Sequence, residues 1–93
     1  GGLVGRNFFG PTVTNCYAIG SVTGTGGLIG GKQSGDIVTN SYWDTETSGM
    51  DTSVSGEGKT TAEMQTKTTF VDWDFDTIWD IDPAENNGYP FLR

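Results

Sequence analysis

The sequence contains no histidine, and that single absence removes much of the catalytic repertoire. Ser-His-Asp and Cys-His nucleophile pairs, the HExxH zinc site and every imidazole general base are excluded. Cysteine is almost as scarce. Cys16 stands alone, so no intrachain disulfide can form and cysteine usage reports nothing about an oxidising compartment; a small buried thiol is its expected role. Only 5 Lys and Arg offset 12 Asp and Glu, a formal net charge of −7. That balance opposes the clustered basic surface that phosphate backbones require, so nucleic acid is not an expected partner. No run of about 18 apolar residues is present, so no membrane-spanning helix is expected in this stretch. No basic segment followed by an apolar one marks a signal peptide. The chain opens on Gly1 rather than methionine and is expected to be an excerpt of a longer polypeptide.

Aliphatic mass is thin as well. Hydrophobic residues make up 33% of the 93 residues and 15 are glycine, and a chain this short buries only about 60–65% of its unfolded surface. What offsets the deficit is aromatic: 3 Trp, 3 Tyr and 5 Phe, each able to bury roughly 150–250 Å². The charge is uneven. Residues 1–50 carry Arg6 and Lys32 against Asp36, Asp44 and Glu46, a net of −1, whereas residues 51–93 carry nine acids against Lys59, Lys67 and Arg93, a net of −6. A nearly neutral half and an acidic half imply two modules, 1–50 and 51–93, within one structural domain.

The first half repeats itself. Gly1-Gly2-Leu3-Val4-Gly5 recurs as Gly26-Gly27-Leu28-Ile29-Gly30, and Val13-Thr14-Asn15-Cys16-Tyr17 recurs as Val38-Thr39-Asn40-Ser41-Tyr42, without a gap. At the same spacing Gly10 falls on Gly35 and Gly24 on Gly49. Short β-branched runs bounded by glycine are strand-and-turn patterns, too short for helices. A unit of this size is one coil of a parallel β-solenoid, whose equivalent positions stack about 4.8 Å apart. Stacking predicts an amide ladder of Asn15 on Asn40, a ring stack of Tyr17 on Tyr42, and core layers of Leu3 on Leu28 and Val4 on Ile29. Glycines are expected at corners and close approaches. Alternation over 13–19 leaves the inward face open: Val13, Asn15, Tyr17 and Ile19 share one side, Thr14, Cys16 and Ala18 the other. A corner or bulge near Asn15 is expected.

These motifs resemble the GLUG repeats of bacterial and archaeal surface proteins, among them haemagglutinin-like adhesins and the non-catalytic regions of IgA-specific metallopeptidases. The resemblance covers residues 1–49. It implies a secreted or cell-surface location, upstream repeats of the same polypeptide as partners, and a host or matrix glycan or protein as a further partner. The second copy departs after Tyr42, where Trp43-Asp44-Thr45-Glu46-Thr47 replaces Ala18-Ile19-Gly20-Ser21-Val22, so the solenoid is expected to end there.

Beyond that point, residues 44–59 read as a loop. Thr60 to Lys67 is the one plausible helix, with Thr60 and Glu63 as a capping box and Lys67 at the end that complements the helix dipole. Val71, Trp73, Phe75, Trp79 and Ile81 alternate with Asp72, Asp74, Asp76, Asp80 and Asp82, which predicts strand interrupted near Thr77. Asn87-Gly88 is a turn signal, and Tyr89-Pro90-Phe91-Leu92 an edge element. Such a segment suits the capping of an open solenoid end. It also resembles the stretch that follows the last GLUG repeat in such proteins, which carries the same Tyr-Trp-Asp, Thr-Thr-Ala-Glu-Met, Trp-Asp-Phe and Gly-Tyr-Pro elements.

Three site hypotheses follow. Asp44, Glu46 and Asp51 are candidate ligands for Ca²⁺, which takes roughly 6–8 oxygens, although their spacing matches no EF-hand; a solvated loop is the simpler reading. Paired carboxylates held about 5–9 Å apart hydrolyse glycosidic bonds, but these acids lie in the expected cap rather than in a groove. Phe8, Phe9 and Trp43 are candidate stacking platforms for sugars, with core packing the simpler role. The sequence thus predicts a mainly β fold, two coils of a parallel β-solenoid followed by a C-terminal cap with one short helix and short strands. It predicts a non-enzymatic spacer, stalk or adhesion module without a cofactor other than Ca²⁺, the alternative being a carbohydrate-binding or polysaccharide-processing accessory domain.

Overall fold

The computed structural model describes residues 1–3, 12–31 and 37–93, and in it the sequence repeat becomes parallel strand pairing. Strands β1 (Thr12–Thr14) and β3 (Ile37–Thr39) run parallel with Thr12 opposite Ile37 and Val13 opposite Val38. Strands β2 (Tyr17–Ala18) and β4 (Tyr42–Asp44) do the same, with Tyr17 opposite Tyr42 and Ala18 opposite Trp43. The amides of Gly2 and Leu3 donate to the carbonyls of Gly27 and Leu28 at 3.1 and 3.0 Å. These first-copy residues therefore sit on their own second-copy counterparts. The expected pairs Val4–Ile29 and Gly10–Gly35 lie outside the described residues, as does Phe8.

The corner near Asn15 exists, and its backbone explains why alternation left the inward face undecided. Asn15 and Asn40 have φ of 52° and 48°, the left-handed region that asparagine tolerates better than branched residues do. That turn switches the parity of the strand, so Val13 and Ala18 both pack inward against Leu28, Ile29 and Trp43, while Tyr17 faces outward. Hydrogen bonds across this corner run through other groups than the expected amide ladder. The Asn15 amide donates to the Thr39 carbonyl at 3.3 Å, and the Thr39 hydroxyl to the Thr14 hydroxyl at 3.3 Å. Cys16 is half-buried, its thiol directed at the Thr14 carbonyl at 3.2 Å.

The chain does not leave the stack after Tyr42. The Gly27 amide donates to the Thr52 carbonyl at 2.8 Å, and the Ser53 hydroxyl accepts from the Ile29 amide at 2.9 Å. Strand β5 (Glu57–Lys59) then pairs parallel with β4, Tyr42 opposite Glu57 and Asp44 opposite Lys59. This third pass takes a short cut: β2, β4 and β5 form a three-stranded sheet, whereas β1 and β3 form a two-stranded one. The expected loop over 44–59 therefore contains β5 and also a one-turn helix, α1 (Thr45–Ser48). Asp44 caps the start of that turn and Gly49 (φ 74°) ends it, satisfying amides that one turn cannot satisfy by itself.

The expected helix over 60–67 is shorter, α2 (Thr61–Met64), followed by a 3₁₀ turn at Lys67–Thr69. Its capping box is present: the Thr60 hydroxyl accepts from the Glu63 amide at 3.2 Å and the Glu63 carboxylate from the Thr60 amide at 3.0 Å. Lys67 lies over the Phe75 ring, 5.6 Å from its centre, rather than at the end of a helix. The alternation over 71–82 is not a strand. Only Trp79–Asp80 (β6) is extended, antiparallel to Phe91–Leu92 (β7). Asp74 folds the middle into a turn by accepting from the Asp76 and Thr77 amides, both at 2.9 Å. A period of two arises here because Trp73 and Phe75 turn inward between exposed aspartates, with Asp72 left-handed at φ 64°.

Two apolar clusters result, one on each side of β4. Inside the stack, Leu28, Ile29 and Trp43 are buried against Val13, Ala18 and Val38. Outside it, Tyr42, Met64, Phe70, Trp73, Phe75 and Tyr89 are buried with Tyr17, Trp79 and Ile81 around them. The expected ring stack of Tyr17 is made with Tyr89, at 6.3 Å and 13° between planes. The C-terminal segment thus lies along the flank formed by Tyr17 and Tyr42, touching both copies.

Candidate functional site

Strand alternation along β4 decides the chemistry of its three residues. Tyr42 points to the outer cluster, Trp43 to the inner one, and Asp44 outward again beneath the C-terminal segment. Asp44 is fully buried. A buried carboxylate is costly unless every oxygen is bonded, and here both are. One oxygen accepts from the Glu46 and Thr47 amides at 2.9 and 3.0 Å. The other accepts from the Thr61 and Tyr89 hydroxyls, each at 2.8 Å. Burial alone would push the Asp44 pKa up, but these hydrogen bonds outweigh it and hold the carboxyl below its ordinary value. Burial, and then the adjacent Asp44, push the Tyr89 hydroxyl above its ordinary value. Three segments, residues 44–47, Thr61 and Tyr89, meet at this carboxylate.

The same geometry places the candidate site residues. Of the proposed calcium ligands, Asp44 is buried beneath the C-terminal segment and fully bonded, Glu46 accepts from the Thr61 amide at 2.7 Å, and Asp51 is exposed. Among the described residues no group of three or more His, Cys, Asp or Glu side chains is placed to hold a metal ion. Trp43 is 4% exposed, its indole donating to the Met50 carbonyl at 2.7 Å, so no ring face is free for a sugar. A pocket of about 260 Å³ lined by Val38, Asn40, Ser41, Tyr42, Gly56 and Glu57 opens beside the short cut into β5. It is smaller than the roughly 300–1,000 Å³ of usual ligand sites. Glu57 is its one carboxylate, so it brings no acid pair together. Asp74, which the sequence places on an acidic strand face, is instead the cap of its own turn. The Asp44 junction was missed at the sequence level, although Asp44 followed by Gly49 is a helix start-and-stop signal.

Two glycines show how tightly the passes approach. A Cβ on Gly27 would lie 2.0 Å from the Trp43 indole nitrogen, and one on Gly2 would lie 2.3 Å from the Gly27 carbonyl. Neither position admits a side chain. The recurring Gly-Gly pair is thus a packing requirement of stacked copies.

Comparison with known proteins agrees with this repeat. The family model described as "The GLUG motif" matches residues 1–23. A protein of Evansella cellulosilytica named "Putative Gly-rich membrane protein" is 42% identical over 100 residues, covering 97% of this chain and 11% of its own length. The chain therefore spans about a tenth of that relative. No solved structure matches. No helix among the described residues is long and apolar enough to cross a membrane. Residues 1–23 carry the GLUG motif, and the Gly-Gly-Leu and Val-Thr-Asn elements of that motif recur over residues 26–42.

Proposed function

We propose that this chain is the closing part of a β-solenoid in a secreted or cell-surface protein, a non-catalytic spacer or adhesive stalk whose C-terminal segment (51–93) seals the stack formed by 1–50. The observation that carries the reading is the in-register parallel stacking, Tyr17 on Tyr42 and Leu3 on Leu28, continued once more by β5 and then abandoned. Supporting it, β5 carries Glu57 and Lys59, paired at 3.5 Å, on the strand where the stack stops. Charged residues there discourage further pairing. A glycine-rich stack held by backbone bonds and closed by aromatics is suited to holding shape at an envelope surface. The location rests on the name of the Evansella relative and on the GLUG motif.

A glycan-array screen of the intact chain tests this against a carbohydrate-binding role. The spacer reading expects no saturable binding. Saturable binding that is lost in Phe8→Ala, at an unchanged melting temperature, would replace it with the carbohydrate-binding one.

A further inference from the structure

We infer that the first-copy edge of the stack is a docking surface for one more GLUG-type repeat, added as parallel strands in the same register; this rests on the solenoid reading above. Each position on a pass bonds the next pass in a fixed direction. The Gly2 amide donates to the Gly27 carbonyl, and the Gly27 amide to the Thr52 carbonyl, while the Leu3 amide donates to the Leu28 carbonyl. In the other strand pair the Tyr42 amide donates back to the Cys16 carbonyl. Gly27 and Leu28 thus present carbonyls, and Tyr42 its amide, to the preceding copy. Moved back by one repeat, the same groups are the Gly2 and Leu3 carbonyls and the Tyr17 amide, all on the side away from the second copy.

A parallel strand set with the complementary order satisfies them, which is strand addition at an edge. The apolar layer points the same way: Leu28, flanked on both sides, is 0% exposed, whereas Leu3 is 44% exposed. The occupant must also carry glycine above Gly2, because a Cβ on Gly2 already meets the carbonyl of its own successor at 2.3 Å. The edge therefore selects a Gly-Gly-Leu repeat and rejects an arbitrary strand.

The test is a chain with residues 1–25 duplicated directly ahead of Gly1, compared by amide hydrogen exchange with the parent. The in-register copy is expected to slow exchange at the Tyr17 amide about tenfold or more, the scale of one net hydrogen bond. One extra residue at the junction turns every side chain to the wrong face and is expected to abolish the effect, as is Gly→Val at the duplicated copy's second position. Unchanged Tyr17 exchange in the in-register chain, with Tyr42 still protected, would overturn the docking surface and leave the stack intact. Equal protection by the shifted copy would overturn its selectivity. Free exchange of the Tyr42 amide in the parent would instead sink the solenoid reading.

Discussion

Asp44 offers the sharpest test of how the two halves are joined. Asp44→Ala removes the N-cap of α1, worth about 1 kcal/mol, and strips both the Thr61 and Tyr89 hydroxyls of their acceptor in a buried place. Each unsatisfied group costs about 1–3 kcal/mol, so with the cap the expected loss is about 3–7 kcal/mol. A chain of this length has about 5–14 kcal/mol in total at 0.05–0.15 kcal/mol per residue. With a urea slope of about 1–3 kcal/mol/M, the midpoint should fall by about 2 M. Asp44→Asn keeps the shape and the cap but turns a donor toward one of the hydroxyls, and should cost about 1–2 kcal/mol. The assay is urea unfolding followed by tryptophan fluorescence. Because the folded pKa of Asp44 is depressed, the stability it contributes is present above the unfolded value of about 3.9 and is lost as pH falls through the folded one. The difference between parent and Asp44→Asn should therefore shrink in acid below about pH 4. If Asp44→Ala unfolds within about 1 kcal/mol of the parent, or if the gap does not close in acid, the carboxylate is not the junction described here.

The remaining predictions follow the same logic. Gly27→Ala should destabilise by more than about 3 kcal/mol through overpacking against Trp43, whereas Gly24→Ala, with open space around its Cβ position, should be neutral or gain about 0.4–1 kcal/mol; paired thermal melts decide. At alkaline pH, Tyr17, Tyr42 and Tyr89 all have raised pKa values, each first through burial, so the stability they contribute holds below about pH 10 and is lost as pH rises through the folded values. Tyrosinate absorbance should then rise together with unfolding, and rings that titrate normally in the folded chain would refute their burial. Met64→Ala in the outer cluster should cost about 2–5 kcal/mol, read by urea midpoint. Calcium should leave the melting temperature unchanged, since Asp44 is already fully bonded; a rise reversed by EDTA would show that the exposed acids bind it.

What the sequence revealed and concealed divides along physical lines. The stack was legible because each copy repeats the same residues at one spacing, so Tyr17 predicts Tyr42 as its neighbour without any energetic argument. The third pass was hidden because β5 pairs Glu57, Gly58 and Lys59 with Tyr42, Trp43 and Asp44. Backbone hydrogen bonds carry that register, and they leave no mark in side-chain identity. The capping box of α2 was readable because Thr60 and Glu63 satisfy each other locally. The acidic alternation over 71–82 misled because a period of two is produced equally by a strand and by turns that send every second residue inward, and Asp74 chose the turn by bonding its own downstream amides. Asp44 looked like a surface acid because its hydroxyl partners, Thr61 and Tyr89, lie far along the chain, and no local pattern announces them.

The contact of Tyr17 with the far end of the chain bears on when this protein can fold. The Tyr17 hydroxyl donates to the carbonyl of Pro90, and the Asn86 amide reaches the same hydroxyl at 3.3 Å. An open repeat array gains stability step by step as each unit is added. Here the outer tyrosine of the first copy is only partly covered by Phe70, Trp73 and Trp79 until Tyr89 and Pro90 are in place. Closure of this flank therefore couples the first copy to the segment that carries Tyr89. A chain cut short before Tyr89 should lose order back to its first strand, instead of fraying only at its end.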